Sequence, residues 1–295
     1  MSEPTPISAN DFIEQQIDER LREIEEDFSA AALSLSGAIL SGTDDIVRAA
    51  VESKRNDDNR DKLVVILHSP GGYIGPAQRI VETLRHHYEH VDFVVPNYAY
   101  SAATILAMSG DAIWMDYYSR LGPIDPQVES RSGQVVPALG YLERYNALIA
   151  KASEGKITPA EVQLLIDGFD QAELYQYEHA REYSVVLLTE WLVKYKFKHW
   201  TETEEHKKPV TDEMRGAAAD KVARTLNDTK RWHSHGFGIS KDVLQNDVGL
   251  KINDFSTDPN RREKIRAYHA LFDDYMIKRG HNGALHVVGS YQPFL

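Results

Sequence analysis

Two glycines and a serine stand where they could act on a substrate. In LVVILHSPGGYIGP (63–76) an apolar, β-branched run stops at His68, Ser69 and Pro70, then passes through Gly71 and Gly72 into a helical pattern. A plain strand-to-helix connection does not need two glycines after a proline. Backbone N–H groups left free at such a turn can hold an anion or a developing negative charge. One strand–helix–strand step later, VDFVVPNYAYSAATILA brings Ser101 to the same edge of a sheet, where open α/β proteins bind ligands. Ala102 and Ala103 leave room around its hydroxyl. A hydroxyl facing a Gly-Gly turn has the parts of an acyl-transfer site, a nucleophile and donors for an oxyanion. The plainer reading of a serine at this place is a helix N-cap.

Other chemistries fit less well. The turn has neither GxxxxGK[ST] nor GxGxxG, so a phosphate cradle is not expected. His233 and His235 lack an evident third ligand, and no metal or organic cofactor is expected. The chain has no cysteine, which excludes disulfides and thiol catalysis. With 45 acidic against 33 basic residues the net charge is −12, which disfavours nucleic acid as a partner. No run of 18 apolar residues occurs and the N-terminus has no secretory pattern, so no membrane span and a cytoplasmic location are expected.

Periodicity gives the secondary structure around these residues. Strands are expected at 32–40, 63–68, 91–96 and 112–116, alternating with helices, and their continuous apolar character predicts a parallel α/β core covered on both faces. Beyond about 137 the pattern turns helical. Before it, Phe12, Ile13, Ile17, Leu21, Ile24 and Phe28 recur at helical spacing opposite a charged face. That segment reads as a packing or subunit-docking helix.

HSPGG (68–72), SAAT (101–104), LGPIDPQ (121–127) and SHGFGI (234–239) together resemble the ClpP/SppA clan of serine peptidases. Within it, the chain is most similar to the SppA-like serine dehydrogenase proteinase (SDH) family, over about residues 33–252. The resemblance implies a ClpP/crotonase-like α/β fold of repeated β-α-β units with a helical C-terminal extension. It divides the chain into a tail and amphipathic helix (1–32), a peptidase domain (33–255) and a C-terminal helix and tail (256–295). It also implies Ser101 as nucleophile, an oxyanion hole from the Gly71-Gly72 turn and the Ala102 amide, a peptide or protein substrate bound extended along a strand edge, and a homo-oligomer.

The base stays open between two arrangements. SppA-like enzymes take a lysine from the later helical region, where Lys151 lies; it would need burial to lower its pKa. Lys156, in a polar loop, is the poorer lysine. Alternatively His235 serves as base with Asp125 orienting it, because no histidine occupies the ClpP position. The plainer readings are a surface lysine, a turn histidine, and an Asx-type turn at Asp125. Arg120 and Tyr100, flanking the motifs, are candidates to line a substrate groove. Two rival functions use the same fold, a scaffold or complex subunit with a degenerate site and a crotonase-type acyl-CoA enzyme.

Overall fold

The computed structural model describes residues 8–124, 127–129, 135–203, 207–232 and 236–295. The chain packs as two units, one of residues 1–121 with 238–295 and one of residues 122–237.

The first unit is built on repeated β-α-β steps. Strand β1 (Ala31–Ser36), helix α2 (Thr43–Asp57), β2 (Lys62–His68), α3 (Ile74–His87), β3 (His90–Val94), β4 (Tyr98–Ala99), α4 (Ala102–Met108), β5 (Ala112–Met115) and β6 (Arg120–Leu121) follow one another. The chain returns to this unit with β9 (Ile239–Ser240), a short turn α10 (Lys241–Val243), β10 (Asn253–Asp254), α11 (Pro259–Lys278), β11 (Ala284–Val287) and β12 (Ser290–Pro293). The main sheet has the order β10-β5-β3-β2-β1-β11-β12. Its first five strands are parallel, and β11 and β12 add antiparallel. Leu63 to Leu67 are all buried, as expected of a central parallel strand with both faces covered. A small sheet, β4-β6-β9, stands beside it.

Helix α1 (Ala9–Phe28) opens with a Ser8 capping box. From Ile17 on its apolar stripe faces inward: Ile17, Leu21, Ile24 and Phe28 share a core cluster with Ile265, Tyr268, Phe272 and Met276 of α11. Of the two roles expected of this face, packing or subunit docking, these four residues take the packing role inside the chain. The segment after α11 pairs with β1 through β11, with Ser34 opposite His286.

The second unit carries the helical segments: α5 (Ala138–Ser153), α6 (Pro159–Gly168), α7 (Gln171–Trp191), α8 (Asp212–Leu226) and a turn α9 (Thr229–Trp232), with a hairpin of β7 (Gln127–Glu129) and β8 (Val135–Pro137). The long helical pattern after 159 breaks between Gly168 and Gln171, because Asp170 caps a new helix through the amides of Ala172 and Glu173.

Candidate functional site

Backbone pairing brings the two motifs of the first unit into contact. Where β2 ends, Ser69 donates its amide to Tyr98 and accepts from the Tyr100 amide, each at 3.0 Å. This bridge carries the chain from Gly71 directly against Ser101. A Cβ built on Gly71 would stand 2.8 Å from the Ser101 Cβ and would collide with the Tyr100 carbonyl oxygen. Gly71 also has φ +94, where a side chain is strained. Gly72, at φ +148, is pressed on its other side against the Ile39 backbone, 2.8 Å from the carbonyl carbon for an added Cβ. The Ile39 amide donates to the Gly71 carbonyl at 2.8 Å, and the Tyr73 amide to the Ile39 carbonyl at 2.8 Å. The turn is thus fixed between two neighbouring segments, and only glycine fits at either place.

The turn's amides differ in what they do. Gly71 N–H donates to the hydroxyl of buried Ser69 at 3.0 Å, a local side-chain lock on the elbow. The amides of Gly72 and Ala102 donate to no acceptor among the described residues.

Ser101 sits at the N-terminal boundary of α4 with φ 51 and ψ −120, and its side chain makes no cap hydrogen bond. The N-cap reading of this serine therefore fails, although the position is right. A non-glycine residue at positive φ outside the left-handed helical basin is strained by about 1–3 kcal/mol and persists only where its surroundings impose it. Here they do: every residue of α4 is buried, and the Thr104 hydroxyl donates to the Ala99 carbonyl at 2.8 Å. Ser101 itself is 4% exposed.

A cluster that sequence reading missed lies at the end of β2. His68 Nδ1 is 3.4 Å from an Asp273 carboxylate oxygen, and its ring meets the edges of Tyr98 and His269 at 4.4 and 4.9 Å. Burial, then the neighbouring His68, pushes His269 down to about 4. Asp273 is lowered as well, first by its bond to His68. The available signal was the i,i+4 spacing of His269 and Asp273 on α11. Ser69 was also missed as a lock, although HSPGG displays it beside the glycines.

Of Lys151, His235 and Asp125, Lys151 alone lies among the described residues. Lys151 is in the last turn of α5, in the second unit; its side chain is 50% exposed and pairs with Glu161 at 2.6 Å. It lacks in this chain the burial that a proton-accepting lysine needs. Asp125 and His235 lie outside the described residues. Among those described, no helix is long and apolar enough to cross a membrane.

The first unit thus holds a strained serine against a glycine turn at the edge of an α/β sheet. Residues 39–152 match the family of ClpP-like SDH-type serine proteinases, the family to which the motifs pointed. The match holds HSPGG, SAAT and LGPIDPQ and stops short of SHGFGI. Two uncharacterized proteins of Methanocaldococcus jannaschii, MJ0137 and MJ1495, are 38% identical over 82 residues and 32% identical over 118. The matches cover 28% and 39% of this chain, and only 26% and 37% of those relatives' length. Among solved structures, two of the 1510-N membrane-bound stomatin-specific protease are similar to 75% of this chain at a TM-score of 0.43, and the matches cover 77% and 73% of them. One is a serine-to-alanine mutant with 13% identity, the other a lysine-to-alanine mutant in complex with a substrate peptide with 14%. The ClpP catalytic domain of Plasmodium falciparum is similar over 41% of this chain and 63% of its own, at 14% identity and a TM-score of 0.30.

Proposed function

We propose that the chain is a serine peptidase-like hydrolase that opens peptide bonds through an acyl-enzyme at Ser101. The observation that carries this reading is the strained Ser101 backbone held against Gly71, within the region that matches a serine proteinase family. Ser101 Oγ attacks the scissile carbonyl while a base takes its proton. The C–N bond then breaks, the amine leaves with that proton, and water releases the acyl group and restores the hydroxyl. The unengaged amides of Gly72 and Ala102 are the donors for the oxyanion, and Gly71 supplies the close approach. Lys151 and His235 with Asp125 remain the proposed bases. The peptide lies extended along a strand edge, no cofactor takes part, and the protein is a cytoplasmic homo-oligomer.

A fluorophosphonate probe tests the core of the reading. The wild-type chain is expected to be labelled and Ser101→Ala not, with both folded by circular dichroism; labelling that survives in Ser101→Ala overturns the assignment. In parallel, Lys151→Ala and His235→Ala separate the bases, because the substitution that leaves the labelling rate unchanged is not the base.

A second reading, a scaffold on the same fold with no chemistry, draws on one observation, the engagement of Lys151 by Glu161 at a half-exposed position. Folded wild-type protein that resists the probe favours it.

A further inference from the structure

Arg120 is clamped by one half of its guanidinium. Nη1 donates to the carbonyls of Tyr117 and Ser119, both at 2.8 Å. Gly238 packs beneath its stem so closely that an added Cβ would lie 3.0 Å from Cγ and Cδ. Strand pairing holds its backbone on both sides, with Tyr98 opposite on β4 and Ser240 opposite on β9. The other edge of the fork, Nε with Nη2, donates to nothing among the described residues, and no described carboxylate pairs with it. Arg266 differs: it donates to the Pro96 carbonyl and to Asp116.

The position of this idle edge gives it meaning. Paired residues of neighbouring strands project to one face, so Arg120 shares a face with Tyr98, and Tyr100 lies on that face again. The Tyr98 and Tyr100 rings stack at 4.8 Å, and Ser101 is the next residue in the chain. Burial pushes the Tyr100 phenol up while the charge of Arg120 pulls it the other way, as neighbours do. A guanidinium edge of this kind takes a carboxylate through two parallel hydrogen bonds. Because the side chain is already fixed, binding costs little rotamer freedom.

We propose that Arg120 receives a carboxylate of the bound peptide close to the bond presented to Ser101, either an Asp or Glu side chain or a free C-terminus. The proposal rests on the reading of Ser101 as the nucleophile only for the direction in which the peptide matters; the binding itself is separable.

Binding is therefore measured on Ser101→Ala protein by fluorescence anisotropy. The probes are fluorescein-labelled decapeptides of one neutral sequence, with Glu, Gln or Lys placed at each position in turn and the C-terminus acid or amide. The expected result is that one Glu position, or the free acid, binds about 10-fold tighter than its neutral counterpart, in line with a charge-assisted pair. That preference disappears when Arg120→Gln is added and turns toward Lys when Arg120→Glu is added. Arg120→Lys, which keeps the charge without the fork, retains part of it and serves if the Gln variant unfolds. The Glu scan and the acid–amide pair tell the two carboxylate sources apart. Equal binding of all matched pairs, or a preference that survives Arg120→Gln, overturns the proposal. Fluorophosphonate labelling of Arg120→Gln with Ser101 intact reports the nucleophile separately, so failure of one reading is distinguishable from failure of the other.

Discussion

At the scale of single residues the site is a problem of space. Gly71 is hemmed by Tyr100 and Ser101, and Gly72 by Ile39, so a methyl group at either place has nowhere to go. Gly71→Ala is expected to cost about 2–4 kcal/mol, from positive-φ strain and from collision with backbone that cannot move aside. Labelling of Ser101 is expected to fall at least 10-fold, because the displaced turn no longer offers its amide. Gly75, in α3, is the control, since an added Cβ meets nothing there. Gly75→Ala is expected to be neutral or stabilising by up to about 1 kcal/mol, as helix propensity dictates. Thermal melts and labelling rates of the two variants check the contrast. The sequence displayed the glycines and the serine because their types are unusual for the places they occupy. It could not display Ser69 as the lock or Arg120 as a clamped cation, because both roles depend on carbonyls and hydroxyls that folding brings near. A base gives still less signal: a lysine on an amphipathic helix reads the same whether it serves chemistry or solvent.

At the scale of elements, α1 shows how one periodicity supports two outcomes. An apolar stripe opposite charge predicts a helix that buries one face, and it does not say against what. Here the partner is α11, more than two hundred residues later in the chain. Leu21 is fully buried in this contact, whereas Phe12, earlier on the same helix, is 57% exposed. Leu21→Ala is expected to destabilise by about 3–5 kcal/mol, the cost of a core cavity, and Phe12→Ala to stay within about 0.5 kcal/mol. Urea midpoints with an unchanged slope test both. A Leu21→Ala variant as stable as the wild type but altered in subunit association would return the stripe to a docking role. The parallel core was legible for a related reason: continuous apolar strands between helical periods admit few other arrangements. The closing strands β11 and β12 were not, because ALHV and SYQP are too short to carry a period: ALHV becomes a strand only beside β1, and SYQP only beside β11.

At the scale of the whole molecule, the His68, His269 and Asp273 cluster ties the strand end that leads to the glycine turn to the helix that also holds α1. The titration of this cluster sets how the first unit meets acid. His269 is depressed from 6.5 to about 4, by burial first and then by His68 beside it, while Asp273 opposes the shift and Arg266 adds to it. Above pH 6.5 both the folded and unfolded chains keep this histidine neutral, and it exacts nothing. As pH falls below 6.5 the unfolded chain takes up a proton that the folded chain refuses, so stability declines until about pH 4, where the folded form also protonates. The full depression is worth on the order of 3 kcal/mol. Asp273 acts in the same direction at lower pH: its carboxyl is held down by His68, so its contribution is present above the ordinary carboxylate range and is lost as pH falls through its folded value. Replacing His269 by Gln removes a proton-binding group from both states. The stability of His269→Gln between pH 6.5 and 4 is therefore expected to fall less than that of the wild type, by about 2–3 kcal/mol at the acid end. Urea unfolding at closely spaced pH values measures the two slopes. Parallel slopes would mean that His269 protonates alike in both states and that the acid limb belongs to other groups. A flattened slope in the variant assigns that limb to the contact between β2 and α11.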